Sequence, residues 1–559
     1  MVYYRSRTEP CFPTMHLFDE SAHVDTFARD HLPSGELWPV MESSGLAELE
    51  YPVRLNAAVE LLDRMVERGF GANPCLRTED GVWSYAELLD CANRIANLMV
   101  SGLGLVAGER VLLRDANTPM MAACWFAVLK AGGIAVATMP QLRANELAQV
   151  IKKAKIKYAL CAQEFSEELE KAQRAAPDLE KLVLFRTEDC AGLEAQLKHQ
   201  PAQFSNVLTS HDDVAMIAFS SGTTGEAKAT MHFHRDMLAV CDCFSKYILK
   251  PEPRDIFCGS PPLAFTFGLG GLLLFPMRVG ASTLLQPKVT AEGLLQAIER
   301  PGCTVLFTAP RLYRLMADLA SLFNLSSLKK CVSAGETLPL PVFEAWQRAT
   351  GIKIIDGIGS TELLHIFISC NGDDVRPGAT GKPVPGYQAA VVDEQGTPVA
   401  PNTVGRLAVR GPTGCRYLDA PEQQRQYVQN GWNITGDAYR MDEDGYFWYV
   451  ARIDDLIVSS GYKISGPEIE AALLNHPSVM ECAVIGVPDL ERGQIVKAFV
   501  VLCQGHPAND ATCRELQDYA KTQIAPYKYP RAIEFVTALP RTATGKIQRF
   551  RLREQGSQP

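Results

Sequence analysis

Residues 219–228 read Phe-Ser-Ser-Gly-Thr-Thr-Gly-Glu-Ala-Lys and continue a predicted buried strand at 214–219. Four hydroxyl side chains, two glycines and one lysine lie in this stretch. Glycines allow a close approach of the backbone, and the amides, hydroxyls and ammonium donate hydrogen bonds, which suits a polyphosphate. The stretch is not a Walker A loop, because its lysine does not follow a glycine directly. The sequence therefore predicts a phosphate-binding loop at the end of a strand.

Short apolar strands and amphipathic helices alternate on both sides of this loop. The pattern Ser84-x-x-Glu87 is a capping box and starts a helix with apolar residues at helical spacing. Further elements are predicted as strands at 110–114, 133–138, 214–219 and 305–308 and as a helix at 119–130. This alternation predicts an α/β fold with largely parallel sheets that helices cover on both faces.

The pattern changes in the last third of the chain. From about residue 386 to 409, short strands are separated by glycine and proline residues, which predicts a smaller β-rich subdomain. Beyond it, Ser465-Gly-Pro-Glu468 is a second capping box that starts another helix. Strands near 480–487, 497–502 and 532–536 and a helix near 514–523 predict a separate α+β unit.

The composition is that of an ordinary globular protein. Of 559 residues, 47% are hydrophobic and 21% are charged, which excludes a disordered or collagen-like chain. The net charge of −9 provides no basic excess for nucleic acid or an anionic membrane surface. The 16 cysteines lack the spacing of a disulfide framework or a zinc site, which favours a reducing compartment.

Two stretches bear on localisation. The first ten residues carry Arg5, Arg7 and Glu9 and lack an apolar core, so we expect no targeting segment there. The uncharged run 256–277 is long enough to span a bilayer, but its glycines and prolines favour a buried strand–loop–helix. We therefore expect a cytoplasmic protein without stable membrane association.

The phosphate loop and a series of further motifs resemble the adenylate-forming superfamily of acyl-CoA synthetases, adenylation domains and firefly-type luciferases. The motifs occur in the family's order at residues 84–88, 219–228, 333–336, 359–362, 435–437, 452–455, 460–463 and 540–546. The stretches 230–236 and 356–366 are most similar to benzoate- and 2-aminobenzoate-CoA ligases. A carboxylate is a poor electrophile, and an acyl-AMP supplies the missing leaving group. The resemblance implies an ATP- and Mg²⁺-dependent aryl-CoA ligase that releases AMP and pyrophosphate.

The resemblance also implies how the chain is divided. Residues 1–453 are expected to bind ATP and the acid and to include the β-rich subdomain at about 386–451. Residues 454–455 are expected to form a hinge at Asp454, and residues 456–559 a mobile α+β lid. A short polar hinge can absorb the backbone change between the two half-reactions.

The roles implied for individual residues follow the chemistry. Glu362 supplies oxygen to a hard cation, and Lys546 stabilises the charge that accumulates at the α-phosphorus. The implied catalytic residues are Lys546, Glu362, Thr361 and Lys228, and the implied metal ligands are Glu362 and Thr223. The implied ATP- or AMP-binding residues are Ser220, Ser221, Gly222, Thr223, Thr224, Gly225, Lys228, Gly335, Glu336, Asp356, Gly357, Ile358, Gly359, Ser360, Thr361, Asp437 and Arg452. The implied CoA-binding residues are Ser460, Gly461, Tyr462 and Lys463.

The acid is expected to bind between two segments. Its predicted contacts are Phe265, Thr266, Phe267, Gly268, His234, Leu363, His365 and Ile366. Phenylalanine rings suit a flat aromatic ring, and the Thr266 hydroxyl can accept a hydrogen bond from an ortho-amino group. The sequence therefore predicts an aryl acid of benzoate size, with 2-aminobenzoate slightly ahead of benzoate.

Other functions stay open at this stage. An adenylating enzyme that loads an aryl or medium-chain acid onto CoA or a carrier protein shares the same motifs, as does a luciferase-like oxygenase. Phe265-Thr266 replaces the Phe-Asp pair of members that select amino acids, which argues against an α-amino acid. The expected partners are the acid, ATP and CoA. An acyl-accepting enzyme or carrier protein, and a monomer or a homodimer, are left open.

Overall fold

The computed structural model describes residues 21–42, 45–220, 228–459, 462–489, 492–541, 545 and 547–556, with the backbone alone for residues 454, 458, 462, 463, 493, 526 and 556. The strands are β1 (Pro74–Arg77), β2 (Val82–Ser84), β3 (Arg110–Arg114), β4 (Ile134–Thr138), β5 (Tyr158–Ala162), β6 (Lys181–Phe185), β7 (Val214–Ser220), β8 (Lys228–Phe233), β9 (Ile256–Gly259), β10 (Ser282–Leu284), β11 (Val305–Thr308), β12 (Lys330–Ser333), β13 (Ile354–Gly359), β14 (Ile366–Ser369), β15 (Lys382–Pro383), β16 (Gln388–Val392), β17 (Gly405–Arg410), β18 (Val428–Gln429), β19 (Trp432–Met441), β20 (Phe447–Arg452), β21 (Ile457–Ser459), β22 (Tyr462–Ile464), β23 (Val479–Asp489), β24 (Gly493–Leu502) and β25 (Ala532–Phe535).

The α-helices alternate with these strands in the first two thirds of the chain. They are α1 (Phe27–Asp30), α2 (Tyr85–Asn97), α3 (Pro119–Lys130), α4 (Ala144–Ala154), α5 (Ser166–Ala175), α6 (Leu193–Leu197), α7 (His234–Val240), α8 (Thr266–Leu269), α9 (Phe275–Val279), α10 (Ala291–Glu299), α11 (Pro310–Leu319), α12 (Leu340–Thr350), α13 (Pro421–Tyr427), α14 (Gly466–Leu474), α15 (Asp510–Gln523) and α16 (Arg549–Gly556).

The first large sheet contains the strand that leads into the predicted phosphate loop. Its order is β6-β5-β3-β4-β7-β8, and its neighbours are parallel except in the β7–β8 hairpin. β3 is buried along its whole length, because α2 and α3 cover one face of the sheet and α4 and α5 the other.

The second large sheet has the order β15-β14-β13-β12-β11-β9-β10-β1-β2. Its central neighbours, from β13 to β1, are parallel, and the pairs at both edges are antiparallel. Helices α10, α11 and α12 cover one face. The other face shares a hydrophobic core with the first sheet, so the two sheets and α2 and α3 form one packed body.

Two further sheets follow in the chain. Strands β16-β17-β19-β18, with β20 on β19, form an antiparallel sheet that is the predicted β-rich region. Strands β23-β24-β25 pack against α14 and α15 in the C-terminal part. The predicted fold class, α/β sheets with a β-rich region and a C-terminal α+β part, is confirmed.

The two predicted capping boxes differ in the structure. Ser84 accepts the amide of Glu87 at 3.2 Å, and the Glu87 carboxylate accepts the Ser84 amide at 2.7 Å. Ser465 caps α14 in the same way by accepting the Glu468 amide at 3.3 Å. The Glu468 carboxylate instead pairs with Lys528, at 2.7 Å from its ammonium, and ties α14 to the segment before β25.

The uncharged run 256–277 folds as the buried strand–loop–helix expected of it, with β9, α8 and the start of α9. Across the described ranges, the helices are all too short or too polar to cross a membrane.

Candidate active site

The predicted phosphate loop connects the two strands of the β7–β8 hairpin. Residues 221–227, with Ser221, Gly222, Thr223, Thr224 and Gly225 of the prediction, lie outside the described residues. Ser220 and Lys228 flank the loop and pair with each other across the two strands. The hairpin therefore brings both ends of the loop to one edge of the first sheet.

Glu362 and Lys228 meet at Tyr417. The Tyr417 hydroxyl donates to Oε1 of Glu362 at 2.6 Å, and the Lys228 ammonium lies 5.5 Å from the centre of the Tyr417 ring. A β-bridge between Thr230 and Tyr417 places the tyrosine beside β8. Burial, followed by the Glu362 carboxylate, raises the pKa of Tyr417 well above its usual value, so the phenol remains a donor. Tyr417 therefore orients one carboxylate oxygen of Glu362.

Thr361 is held from the opposite side by His232. The Nε2 atom of His232 lies 2.8 Å from the carbonyl oxygen of Thr361. Because a carbonyl oxygen only accepts, Nε2 carries the proton and donates. His232 is fully buried, so this hydrogen bond is shielded from water. Two consecutive residues of the site are thus positioned by side chains of β8 and its neighbouring segment.

A buried ion pair supports His232. Both Asp236 and Arg416 are fully buried, and Nη1 of Arg416 lies 2.8 Å from Oδ2 of Asp236. Burial opposes ionisation of Asp236, but the Arg416 guanidinium and His232 hold the pKa of this carboxyl well below its usual range. Nδ1 of His232 lies 3.7 Å from the same carboxylate oxygen. The Asp236 carboxylate therefore remains ionised next to His232 at ordinary pH.

The segment after Glu362 forms a tight connection between β13 and β14. Ser360 Oγ accepts the amide of Leu363 at 3.2 Å, and Thr413 donates to the Leu363 carbonyl at 2.8 Å. Leu364 has a φ of 70°, a left-handed conformation that is unfavourable for leucine. At Gly359, a Cβ atom would lie 2.6 Å from the carbonyl oxygen of His365, so this position requires glycine.

Five of the predicted ATP- or AMP-binding residues lie on or just after two adjacent parallel strands. Ser333, the last residue of β12, pairs with Asp356 in β13. Gly335 and Glu336 follow β12 in the chain, and Gly357 and Ile358 belong to β13. Burial raises the pKa of Asp356 to about 7. The Glu336 carboxylate lies 3.5 Å from Nη1 of Arg541, a residue of the C-terminal part.

Asp437 and Arg452 are brought together by the β19–β20 pairing. They face each other in register, and Nη1 of Arg452 donates to Oδ1 of Asp437 at 3.1 Å. Arg452 also donates to the carbonyl of Thr435 at 3.0 Å. A carboxylate that is oriented by a guanidinium can accept hydrogen bonds from two neighbouring hydroxyls, as on a ribose.

His365 and Phe267 belong to one aromatic cluster. The His365 ring centre lies 5.8 Å from Phe267, 5.4 Å from Phe244 and 4.6 Å from Phe275, the last in an edge contact. Burial lowers the pKa of His365 to about 3, so its imidazole is neutral. At Gly270, a Cβ atom would lie 2.3 Å from Cδ2 of His365, and glycine there makes room for the ring.

The segment Phe265–Gly268 starts α8. Phe265 precedes the helix, and Thr266 and Phe267 are half-buried in its first turn, while Gly268 is buried. Phe265 lines a small cavity with Trp125, Met216 and Leu263. The structure therefore joins Phe267 to His365, and it places Phe265 in a separate cavity toward the first sheet.

Three other residues of the predicted acid pocket are buried. His234 is fully buried, and its Nδ1 accepts the amide of Ala57 at 3.1 Å. Burial lowers the pKa of His234 to about 3, with Asp213 and His23 as its charged and titratable neighbours. Leu363 and Ile366 are buried in the large hydrophobic core. Phe267 packs against the same core.

The predicted hinge and CoA segment are described in part. Residues 453–455 form a short 3₁₀ turn between β20 and β21, and the side chain of Asp454 lies outside the described residues. Tyr462 and Lys463 begin β22, while Ser460, Gly461 and Lys546, the predicted catalytic lysine, lie outside the described residues.

Tyr417 and His232 are site residues that the motifs did not reveal. His232 could have been found from the alternation of side chains along a strand. Residues 228, 230 and 232 share one face of β8, whereas residue 234 already begins α7. The local sequence around Tyr417 contains no such indication, because its partner Glu362 is 55 residues away in the chain.

Comparison with known proteins places this geometry in a family. The family model described as AMP-binding enzyme matches residues 64–416, and the model described as AMP-binding enzyme C-terminal domain matches residues 468–546. A benzoate–CoA ligase of Thauera aromatica is 35% identical over 511 residues, which are 90% of this chain and 97% of that protein. The mitochondrial acyl-coenzyme A synthetase ACSM3 of Mus musculus is 32% identical over 532 residues, which cover 91% of this chain and 92% of that protein.

Two solved structures share the whole architecture. The anthranilate CoA ligase AuaEII in complex with anthranoyl-AMP has a TM-score of 0.86 and 36% identity, over 92% of this chain and 99% of that chain. A benzoate CoA ligase from Burkholderia xenovorans LB400 has a TM-score of 0.82 and 31% identity, over 89% of this chain and 100% of that chain. The chain therefore belongs to the AMP-binding enzyme family and is an AMP-forming acid–CoA ligase that uses ATP and CoA.

Proposed function

We propose that the protein is an aryl-CoA ligase for an acid of benzoate size, with 2-aminobenzoate ahead of benzoate. The observation that carries this proposal is the cluster of Phe267 and the neutral His365, which follows Glu362 by three residues in the chain. Aromatic side chains favour a flat ring over a flexible chain. Relatives that are named benzoate–CoA ligase and anthranilate CoA ligase support the same class of acid.

In the first half-reaction, a carboxylate oxygen of the acid attacks the α-phosphorus of ATP. The bond from this phosphorus to the bridging oxygen breaks, and pyrophosphate leaves with the electron pair. Lys228 at the edge of the phosphate loop and Lys546 are the cations that we propose for the negative charge of the pentavalent phosphorus. A preorganised charge of this kind typically contributes a factor of about 10²–10³ in rate.

The donor set fits a magnesium ion that is shared with the ATP phosphates. Within the described residues, no three His, Cys, Asp or Glu side chains form a cluster that holds a metal by itself. Magnesium in nucleotide sites is usually bound by one or two carboxylates together with phosphates. Tyr417 engages Oε1 of Glu362, so we propose Oε2 as a ligand, with Thr223 as a second. The ion supplies positive charge at the phosphate oxygens when it is bound.

In the second half-reaction, the CoA thiol loses its proton and its sulfur attacks the acyl carbon. The acyl carbon–oxygen bond to the phosphate breaks, and AMP leaves. We propose that residues 456–559 turn about Asp454 between the half-reactions and present residues 460–463 to CoA, while residues 1–453 keep the nucleotide. Asp437 and Arg452, already paired with each other, are the proposed contacts of the ribose.

The pocket proposal rests on Thr266 and Phe267 at the start of α8 and on His365 opposite Phe267. A neutral imidazole and a hydroxyl are both able to accept or donate one hydrogen bond. An ortho-amino group is a donor, so the Thr266 hydroxyl favours 2-aminobenzoate over benzoate. Relatives that are named acyl-coenzyme A synthetases support a broader acyl class, and our second candidate in that class is a medium-chain acid.

A screen of AMP formation tests this proposal. The purified protein is given ATP, Mg²⁺ and one acid from a panel of 2-aminobenzoate, benzoate, butyrate and octanoate, with and without CoA. We expect the highest kcat/KM for 2-aminobenzoate and a CoA-dependent rise in AMP release. A higher kcat/KM for octanoate than for every aromatic acid contradicts the proposal. Activity with a carrier protein that exceeds the activity with CoA identifies a different acceptor.

A further inference from the structure

The side chain of Arg541 connects three parts of the molecule. Nη1 of Arg541 donates to the carbonyl oxygen of Gly545 at 2.5 Å and lies 3.5 Å from Oε1 of Glu336. Nη2 donates to Oε2 of Glu481 at 3.1 Å. One planar guanidinium thus binds a backbone carbonyl and two carboxylates at once, which a lysine ammonium does with much less directional control.

Arg541 holds both chain neighbours of Lys546. An antiparallel β-bridge joins Arg541 to Ile547, and Arg541 donates a hydrogen bond to the carbonyl of Gly545. Gly545 has a φ of 91°, which is a turn conformation that suits glycine. Arg541 therefore binds the two residues that precede and follow Lys546 in the chain.

The contact of Arg541 with Glu336 crosses between the two units matched by the family models. Glu336 lies in the matched range 64–416, and Glu481 and Arg541 lie in the matched range 468–546. Arg311 of α11 adds a second crossing contact, with Nε at 3.2 Å from Oε1 of Glu481. We name Arg311, Glu336, Glu481 and Arg541 the interdomain charge cluster. Arg314 lies beside it and donates to the carbonyl of Val479 at 3.3 Å.

Three of the four side chains of the interdomain charge cluster are largely buried, so their contacts can orient the C-terminal part on the ATP-binding part. The side chains of Arg541, Glu481 and Glu336 are 18%, 21% and 25% exposed, whereas Arg311 is 56% exposed. Isolated ion pairs on a surface contribute little to stability. A network around one arginine is stronger, because the planar guanidinium forms several directed hydrogen bonds to charged groups. We therefore expect Arg541 and Glu481 to matter more than Arg311.

We propose that Arg541 is a positioning residue for acyl-AMP formation: it holds Gly545 and Ile547, the two chain neighbours of Lys546, and pairs with Glu336 of the ATP-binding part. This inference rests on the proposed role of Lys546 in the first half-reaction. A group that is displaced by about 1 Å from its reactive position loses about 10²-fold in rate. The second half-reaction transfers the acyl group from the AMP oxygen to the CoA sulfur by attack at the acyl carbon. No pentavalent phosphorus forms in it, so it needs this positioning less.

The experiment measures the two half-reactions separately in Arg541→Ala, Arg541→Lys and Glu481→Gln. Acyl-AMP formation is followed by ATP–pyrophosphate exchange with the acid that the wild type uses best, and thioester formation starts from supplied acyl-AMP and CoA. We expect Arg541→Ala to slow the exchange ~10- to 100-fold and the thioester step less than ~3-fold. We expect Arg541→Lys to recover part of the exchange rate.

A double-mutant cycle and a matched control complete the test. Because Arg541 and Glu481 act through one contact, Arg541→Ala combined with Glu481→Gln is expected to cost less than the product of the two single effects. Arg64→Ala is the control, because Arg64 forms exposed ion pairs with Glu60 and Glu67 outside the site. Its exchange rate is expected to equal that of the wild type. Thermal unfolding of each variant verifies that it is folded.

The possible failures are distinguishable. If Lys546→Ala slows only the exchange and Arg541→Ala slows neither step, or both steps equally, the positioning role of Arg541 is wrong. That role is also wrong if the effects of Arg541→Ala and Glu481→Gln multiply fully. If Lys546→Ala itself slows both steps equally, the proposed function of Lys546 is wrong, and with it the inference on Arg541.

Discussion

Tyr417 donates a hydrogen bond of 2.6 Å to Oε1 of Glu362, and the two residues come from segments that are 55 positions apart. The phenol is kept neutral by burial and by the carboxylate that it serves. Glu362 therefore presents its second oxygen in a defined direction, at the end of a chain segment that His232 holds by the carbonyl of Thr361. The Glu362 carboxylate is therefore preorganised. If it binds a metal–phosphate complex, as we propose, its side chain does not have to change rotamer first.

Tyr417→Phe removes the donor and leaves the ring in place. A hydrogen bond to a charged group contributes about 1.5–3 kcal/mol, so we expect kcat/KM to fall by roughly 10- to 100-fold. Because the carboxylate then rotates more freely, the Mg²⁺ concentration for half-maximal activity rises, and so does the Kd of Mn²⁺ in the presence of a non-hydrolysable ATP analogue. Tyr446→Phe is the control, since Tyr446 donates to the carbonyl of Asp374 outside the site. If the metal dependence of Tyr417→Phe equals that of the wild type, Tyr417 does not orient Glu362 for metal binding.

Lys546→Ala tests the cation proposed for the first half-reaction. We expect a loss of ~10²-fold or more in acyl-AMP formation, the effect of one preorganised charge donor. The conversion of supplied acyl-AMP with CoA is expected to survive. Lys521→Ala removes a lysine that pairs with Asp518 on the surface of α15 and serves as the control. An equal loss in both half-reactions argues against the assignment.

Asp454→Pro tests the proposed hinge. Asp454 lies in the short turn 453–455 between β20 and β21, and proline restricts φ to about −65°. We expect near-normal acyl-AMP formation with a strongly reduced thioester step. Asp454→Ala removes the same carboxylate without restricting φ and is expected to retain both steps. If the two variants behave alike, the backbone at residue 454 is not the pivot.

Thr266→Ala tests the preference for an ortho-amino group. One neutral hydrogen bond contributes about 0.5–1.5 kcal/mol, so we expect kcat/KM for 2-aminobenzoate to fall by about 2- to 10-fold. The value for benzoate is expected to stay unchanged, because benzoate has no donor at this position. A parallel loss with both acids leaves the aryl class intact and removes the role of Thr266 in the preference.

Asp356 makes the free energy of unfolding depend on pH in a defined direction. Burial raises its pKa from the usual 3.8 to about 7 in the folded protein. Between these values the folded state binds the proton and the unfolded state does not, so stability falls as pH rises from about 4 to about 7. Above about pH 7 the full cost of a buried carboxylate is present.

Asp356→Asn removes this cost. We expect the Tm of the variant, relative to the wild type, to be higher at pH 8.5 than at pH 5.5, as measured by calorimetry without nucleotide. Asp518→Asn changes an exposed carboxylate and is expected to shift the Tm equally at both pH values. A Tm difference for Asp356→Asn that is the same at both pH values shows that Asp356 ionises normally.

Much of the fold was accessible from sequence because its signals are local. The strand at 305–308 and the helix at 119–130 have the predicted bounds, since apolar periodicity and an N-terminal proline involve adjacent residues. The order of motifs likewise identified the family. The motifs did not reveal the contact between His232 and Thr361, because the information is spatial. His232, on the same face of β8 as Lys228, reaches the carbonyl of Thr361, whereas His234 begins α7.

The sequence by itself determined the α/β architecture, the adenylate-forming class and the charged groups available for the chemistry. Only the tertiary structure decided which of these groups meet: Tyr417 with Glu362, Asp236 with Arg416, and Arg541 with both Glu336 and Glu481. The physical reason is that hydrogen bonds and ion pairs act over about 3 Å, whereas the partners lie tens to hundreds of residues apart in the chain. Strand order and the packing of the C-terminal part set those distances, and neither is encoded in the spacing of a motif.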